Sequence, residues 1–277
     1  MCTDMQGGSD KALEGKLAHL RSGLATMETV AVAFSGGVDS TLLLKVAHDV
    51  LGDSAFAVTA KAPMVPAREI ETTRAFCEAE GIRHVVVEPN VFEVEGFADN
   101  PPNRCYLCKC AILSCIFEAA SANGAQTVVE GSNTDDDSDF RPGSKAVAEL
   151  GAKSPLRDAG LDKEAVRALA KQLGLDVWDK PAYACLATRF PYGERLSADR
   201  LAIVEHAEYA LHDEGFIQAR VRVQGDAARI EVPPADIERL VASDVRARIA
   251  GKLHGLGFTF VSVDLDGYRK GSMNETL

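Results

Sequence analysis

Six residues, Ser35-Gly36-Gly37-Val38-Asp39-Ser40, stand between the apolar run Val30-Ala31-Val32-Ala33-Phe34 and a stretch of helical periodicity from Ser40 to about Leu51. A strand that turns on two glycines directly into a helix is the opening unit of a parallel sheet. At such a turn, backbone N–H groups and the helix dipole both face an anion, above all a phosphate. Each residue type has a task. Gly36 and Gly37 allow backbone conformations and a close approach that a Cβ would block, Ser35 and Ser40 bring hydroxyl donors, and Asp39 can hold Mg2+ directly or through water. The segment lacks the Gly-Lys-Ser/Thr ending of the loop that grips a γ-phosphate for hydrolysis.

The pattern continues beyond the turn. Ala55-Phe56-Ala57-Val58-Thr59, a helix from Pro66 to Glu80, His84-Val85-Val86-Val87, a helix through Ala111 to Ala122, Thr127-Val128-Val129, a helix from Asp162 to Leu173 and then Val177-Trp178 alternate as strand and helix. Apolar strands between helices predict an α/β fold with a doubly wound parallel sheet, covered on both faces. After Pro191 the rhythm changes. A helix from Ser197 to His212, two β segments (Gln218 to Val223 and Arg229 to Val232) around the turn Gly225-Asp226, a helix from Ala235 to Leu253 and a strand from Phe258 to Val263 predict a smaller α+β domain. The expected division is therefore 1–194 and 195–277, with a frayed polar tail from Lys270 to Leu277.

Composition limits the partners. With 30 Lys plus Arg against 41 Asp plus Glu, the net charge is −11, the wrong sign for a chain that holds nucleic acid through its phosphates. Any anionic ligand needs a local basic pocket. No uncharged apolar run approaches the roughly 18 to 20 residues of a membrane span, and the first sixteen residues show no basic segment leading into an apolar one, so a cytoplasmic protein without membrane contact is expected. Seven cysteines, an odd number, argue against a disulfide framework. Cys105, Cys108, Cys110 and Cys115 crowd together, which points to a metal or redox site. Cys77 reads as a core residue and Cys2 as a tail residue.

The turn resembles the pyrophosphate loop of N-type ATP pyrophosphatases (the PP-loop superfamily), which split ATP between the α- and β-phosphates to adenylate a substrate oxygen. Glu130-Gly131-Ser132-Asn133 is similar to that superfamily's second nucleotide-contacting segment. Three further stretches choose within it: Asn100-Pro101-Pro102-Asn103-Arg104-Cys105-Tyr106-Leu107-Cys108-Lys109, the segment Ala184 to Gly193 around Cys185-Leu186-Ala187-Thr188-Arg189, and Asp266 to Asn274. Together they resemble the LarE-type sulfur transferases that help to build the nickel-pincer nucleotide cofactor, over nearly the whole chain from about residue 13 to 274.

The resemblance implies ATP and Mg2+ at Ser35, Gly36, Gly37, Asp39, Ser40, Glu130, Gly131 and Asn133, and a transferable sulfur at Cys185. In single-cysteine members that residue gives up its own sulfur and becomes dehydroalanine. Here Cys105 and Cys108 add a Cys-x-x-Cys pair, whose spacing lets two thiolates meet one metal centre. With Cys185 they make a set of three suited to a four-iron, four-sulfur (4Fe-4S) cluster with one open iron. Strand-to-loop logic brings both loops to the carboxyl edge of the sheet, the pair after the strand ending near Val87 and Cys185 after the one near Trp178. Two other readings stay open, a structural zinc site completed by Cys110 or Cys115 and unmetallated cysteines with Cys185 as sacrificial donor.

The implied substrate is a pyridinium mononucleotide with two carboxylates. Arg189 beside Cys185, and Arg220 and Arg222 alternating on one strand with Glu231 on the next, are the cations placed to receive it. Arg104 is a further candidate. Asp39, Arg189 and Cys185 form the expected catalytic set. The resemblance also implies a homo-oligomer. A tRNA-thiolating enzyme shares loop and adenylation, yet the charge and the 11 Phe, 5 Tyr and 1 Trp offer no basic or stacking-rich appendage. An ammonia-using amide synthetase would not need the cysteines, and a sulfur or iron carrier would bind ATP without releasing pyrophosphate.

Overall fold

The computed structural model describes residues 4–137, 142–181 and 185–269. Ala184, residues 270–274 of the last motif, Cys2 and the polar tail lie outside these. The chain divides into two compact units: Met1–Ala62, Ala67–Val94 and Asn103–Tyr183 form one, and Pro63–Pro66, Glu95–Pro102 and Ala184–Leu277 form the other.

The first unit runs α1 (Asp4–Ala25), β1 (Val30–Ala33), α2 (Val38–Leu51), β2 (Ala55–Ala60), α3 (Ala67–Glu80), β3 (His84–Val87), α4 (Arg104–Ala122), β4 (Thr127–Val129), α5 (Pro142–Leu150), α6 (Pro155–Asp158) and α7 (Lys163–Gln172). Its four strands are all parallel, in the order β3-β2-β1-β4. Period-two alternation feeds two cores. Val30, Val32, Ala55 and Ala57 pack with Leu20 and Leu24 of α1, Leu42 to Leu44 of α2, Cys77 of α3 and Val166 and Leu169 of α7. Ala31, Phe56 and Val58 pack on the opposite side with Leu113, Ile116 and Ala120 of α4 and Val147 of α5. The sheet is thus covered on both faces, and the order reverses between β1 and β4. In open parallel sheets such a reversal, beyond the carboxyl ends of the two strands, is where ligands bind.

Two features of this unit depart from the sequence reading. Val177-Trp178 is no strand but part of a 3-10 turn, Asp176–Asp179. Arg167 of α7 donates to the Trp178 and Lys180 carbonyls (2.5 and 2.7 Å) and Lys171 lies 4.3 Å over the indole. Side chains thus take the carbonyls that a sheet neighbour would need, and Cys185 is not launched from a strand. The second departure concerns α4, which starts seven residues before Ala111, so Cys105 and Cys108 lie in a helix rather than a loop. Pro101-Pro102 stops the preceding segment, and nothing from Arg104 onward breaks a helix. Among the described residues, α4 is the one helix long and apolar enough to cross a membrane by length and composition, yet Leu113, Ile116 and Ala120 are buried against the sheet.

The second unit contains α8 (Ala198–His212), β5 (Arg220–Gln224), β6 (Ala227–Glu231), α9 (Ile237–Val241), α10 (Ser243–Gly255) and β7 (Phe260–Val263). The expected single helix from Ala235 is broken at Ala242, which is extended (ψ 138°). β5 and β6 pair antiparallel around Gly225-Asp226, and β7 joins β6 in parallel. Val221, Val223, Ala228 and Ile230 are buried, as are Leu201, Val204 and Leu211 of α8 and Ile249 and Leu253 of α10. Arg220, Arg222, Arg229 and Glu231 share the other face of the sheet.

Candidate functional site

The glycine turn follows β1. Gly36 has φ +73°, and a Cβ there would meet Thr73 Cγ2 at 3.0 Å. The Ser35 and Ser40 hydroxyls lie 3.1 Å apart, Ser35 N–H donates to Ser40 Oγ (3.3 Å), and Ser40 and Thr41 hydroxyls both donate to the Gly37 carbonyl. The serines therefore knit the turn together. α2 starts at Val38 with Gly37 in the N-cap position and without a side-chain cap, so its first N–H groups keep their donor capacity.

The segment after β4 meets this turn at the reversal of strand order. A Cβ on Gly131 would sit 3.0 Å from Ser40 N and 3.2 Å from the Asp39 carbonyl carbon, so the two backbones touch. Asn133, 2% exposed, donates to Asp39 Oδ1 (3.0 Å), and Lys163, first residue of α7, places its ammonium on Asp39 Oδ2. Glu130 is buried, accepts from Ser132 N–H (3.1 Å), Ser132 Oγ (2.8 Å) and Ser154 Oγ (2.6 Å), and so braces the loop from within. Lys180 donates to the Gly36 carbonyl (3.2 Å) and to Glu69 Oε2 (2.6 Å).

Cys105 is exposed and Cys108 half-buried, and their spacing puts both on one side of α4 at its N-terminal end. Lys109, the next residue, reaches 3.7 Å from Glu130 Oε2, which ties this end of α4 to the second loop segment. Arg104 is buried at 2%. Cys110 and Cys115 are half-buried further along; burial, then the charge of Glu118, pushes the Cys115 thiol up, and burial alone pushes Cys77 up to about 12, which fits the core role expected for it. Among the described residues, no group of three or more His, Cys, Asp and Glu is arranged to hold a metal ion.

In the second unit, Cys185 is exposed at the start of a 3-10 turn, Leu186–Arg189. Leu186 N–H donates to the Met64 carbonyl (3.0 Å), and the Cys185 carbonyl accepts from Thr188 N–H (2.9 Å), Thr188 Oγ1 (2.8 Å) and Arg189 Nη1 (3.2 Å). Arg189 is 1% exposed, and its Nε and Nη2 fork onto Glu208 at 2.7 and 2.9 Å. It holds the cysteine turn from below. Asn100, buried with φ +53°, donates to the Pro191 carbonyl (2.7 Å) and fixes the far end of the same segment.

On the polar sheet face Arg222 donates twice to Glu231 Oε2 (3.0 and 2.9 Å) and once to the Thr188 carbonyl (2.8 Å). Arg220 is buried, donates to the Ala219 carbonyl (2.7 Å) and lies 5.2 Å from the Tyr268 ring. Arg229 donates to Glu231 Oε1 (3.1 Å). Gly267 makes Tyr268 possible: a Cβ there would stand 2.6 Å from the Val232 carbonyl oxygen.

The structure thus brings the turn Ser35 to Ser40 together with Glu130, Gly131 and Asn133 around Asp39, while Arg189 and Arg222 bond the Cys185 turn, Arg222 also bonds Glu231, and Arg220 is paired with Glu231 across the two strands. Sequence reasoning missed Lys163, Lys180, Glu208 and Arg229. Arg229 alternates with Glu231 on a recognised strand and was within reach of the pattern. The lysines and Glu208 are distant in sequence from their partners and carry no local motif.

No protein-family model matches the chain. An uncharacterized protein of Synechocystis sp. is 41% identical over 265 residues, covering 96% of this chain and 99% of that protein. Pyridinium-3,5-bisthiocarboxylic acid mononucleotide synthase of Lactiplantibacillus plantarum is 40% identical over 267 residues, 96% of each chain. tRNA-specific 2-thiouridylase MnmA of a Caulobacter species is 28% identical over 215 residues, 63% of this chain and 52% of that protein.

Proposed function

Since the chain belongs to the LarE-type sulfur transferases of the PP-loop ATP pyrophosphatase superfamily, we propose that it adenylates a carboxylate of pyridinium-3,5-biscarboxylic acid mononucleotide and converts it to a thiocarboxylate. The observation that carries this reading is the contact between the glycine turn and the Glu130–Asn133 segment around Asp39. A carboxylate oxygen is a poor leaving group, and attack of that oxygen on the α-phosphorus of ATP, with pyrophosphate departing, turns it into the leaving group AMP. The α2 N–H groups and nearby lysines favour the charge that develops on pyrophosphate. Sulfur then attacks the acyl carbon and AMP leaves.

Mg2+ fits the first site through Asp39, the carboxylate within the turn's own sequence; such an ion takes few protein ligands and fills its shell with phosphate and water. For sulfur, what supports a 4Fe-4S cluster is the chemistry of the thiols alone, Cys105 and Cys108 spaced by one helical turn and Cys185 on an exposed turn. Cys105, Cys108 and Cys185 would hold it, and its open iron would supply a replaceable sulfide. Arg222, bonded to the Thr188 carbonyl, and Arg189, bonded to the Cys185 carbonyl, fix the cysteine turn. Arg220, Arg222 and Arg229 suit the substrate's phosphate and carboxylates. The odd number of cysteines fits action in the cytoplasm. The tRNA reading finds less support, because net charge −11 opposes a polyanion.

The test is anaerobic incubation with ATP, Mg2+ and the dicarboxylate nucleotide, following pyrophosphate and product mass, beside iron and acid-labile sulfide analysis of the protein. Substrate-dependent pyrophosphate with an oxygen-to-sulfur exchange in the product supports the proposal. Iron and sulfide in the protein support the cluster. An iron-free protein that loses one cysteine sulfur per product contradicts the cluster and gives the sacrificial route. No sulfur in the product rejects the function.

A further inference from the structure

Both oxygens of Asp39 are taken in this structure. Asn133 Nδ2 holds Oδ1 at 3.0 Å and the Lys163 ammonium sits on Oδ2. The two partners differ in freedom. Asn133 is 2% exposed and pinned on three sides, by its own bond to Asp39, by its N–H on Asp136 (3.1 Å) and by its Oδ1 under Asp135 N–H (3.0 Å). Apart from its bond to Asp39, Lys163 is held among the described residues at its backbone, where its N–H donates to Asp135 Oδ2 (3.1 Å) and Asp162 caps the helix by accepting from Ala165 N–H (2.8 Å). Its side chain is 36% exposed and ends in a point charge on a flexible four-carbon stem. Lys180 forms a contrast: 19% exposed, it is bound at once to Glu69 and to the Gly36 carbonyl.

A divalent cation that takes Asp39 must displace the one partner able to leave. The displaced ammonium then lies beside the glycine turn, where the most negative group within reach is the incoming phosphate chain. We propose that Lys163 is an exchangeable cation: it neutralises Asp39 while the site holds no nucleotide, cedes Asp39 to Mg2+ when Mg-nucleotide arrives, and moves onto the phosphates, where it stabilises the departing pyrophosphate. The inference rests on the adenylation reading above, and it assigns to one lysine both the guarding of the metal position and the neutralisation of the leaving group. It also explains how a carboxylate placed for a metal is kept from standing uncompensated at the turn.

The experiment uses Mn2+ as a paramagnetic stand-in for Mg2+, with free Mn2+ read by electron paramagnetic resonance, on the wild type, Lys163→Gln and Lys163→Arg. Without nucleotide, Lys163→Gln should bind Mn2+ about tenfold more tightly than the wild type, because the competing ammonium is gone, whereas Lys163→Arg should stay near the wild type. With ATP and the dicarboxylate substrate, pyrophosphate release by Lys163→Gln should fall roughly 100-fold, as for loss of a transition-state donor. Slower release with Mn2+ affinity unchanged or weakened would overturn the inference, since a purely structural lysine gives that pattern. Unchanged release in Lys163→Gln would overturn it equally. If the wild type itself neither binds Mn-ATP nor releases pyrophosphate, the adenylation reading fails, and that result is distinct from either of these.

Discussion

The glycine turn of the first unit and the arginine face of the second both supply positive charge in a chain with net charge −11, by different means. The turn relies on backbone N–H groups and on lysines that each meet one carboxylate, Lys163 on Asp39, Lys109 on Glu130 and Lys180 on Glu69, the last also held by the Gly36 carbonyl. The sheet face relies on arginines with several directed bonds each, Arg189 on Glu208 and the Cys185 turn, Arg222 on Glu231 and Thr188. A reaction that expels pyrophosphate changes its local charge during each turnover, and point charges on flexible stems can follow it. Recognition of a fixed anionic substrate and support of a fixed sulfur both need geometry that does not move. The difference in residue type matches the difference between the two proposed tasks.

The comparison breaks most readily at its rigid side. Glu208→Ala would leave the fully buried Arg189 guanidinium without its forked partner and should destabilise the protein by about 3–5 kcal/mol, measured by urea unfolding. A loss below about 1 kcal/mol, the scale of an exposed pair, would show that this arginine is not fixed as described. Next comes Gly131→Ala in the first unit. The added methyl group meets backbone at Ser40 and Asp39 rather than a yielding side chain, so an overpacking cost of about 1–3 kcal/mol should appear as weaker ATP binding by calorimetry. Unaltered affinity would separate the Glu130–Asn133 segment from the nucleotide site.

Arg222→Lys keeps the charge and loses the directed bonds, at a cost of about 1.5 kcal/mol in stability, while Lys180→Arg, on the lysine side, should change stability little. Equal losses in both variants would erase the contrast. The smallest effect is one of pH. Burial, then the charge of Arg74, pushes the His84 imidazole below its ordinary 6.5, and its ring sits 2.8 Å from Thr59 Oγ1. The unfolded chain therefore takes up this proton first as pH falls. The stability that neutral His84 contributes is complete above about pH 6.5 and is lost as pH drops through the folded value. Thermal melts of wild type and His84→Gln between pH 7.5 and pH 5 should show a shallower acid loss in the variant, and parallel curves would remove His84 from the account.

What the sequence disclosed follows the range of the interactions. The glycine turn, the β5–β6 hairpin at Gly225-Asp226 and the parallel sheet rest on contacts between neighbours or on strand alternation, and all can be read along the chain. Val177-Trp178 misled because two apolar residues look alike in a strand and in a 3-10 turn, and Arg167, ten residues earlier, decides between them through its bonds to the carbonyls. The start of α4 was set too late because a Cys-x-x-Cys pair suggests a loop, although the same spacing aligns two side chains on a helix. Lys163, Lys180 and Glu208 pair across more than a hundred residues or between a turn and a helix, and no spacing rule reaches them.

The division of labour is tested most directly by Cys185→Ser. The account predicts that this variant still catalyses substrate-dependent exchange of labelled pyrophosphate into ATP at a rate near that of the wild type, because the glycine turn alone adenylates the carboxylate, while thiocarboxylate formation disappears. Thiocarboxylate formed by Cys185→Ser, or pyrophosphate exchange lost together with it, would contradict the separation of nucleotide chemistry from sulfur delivery.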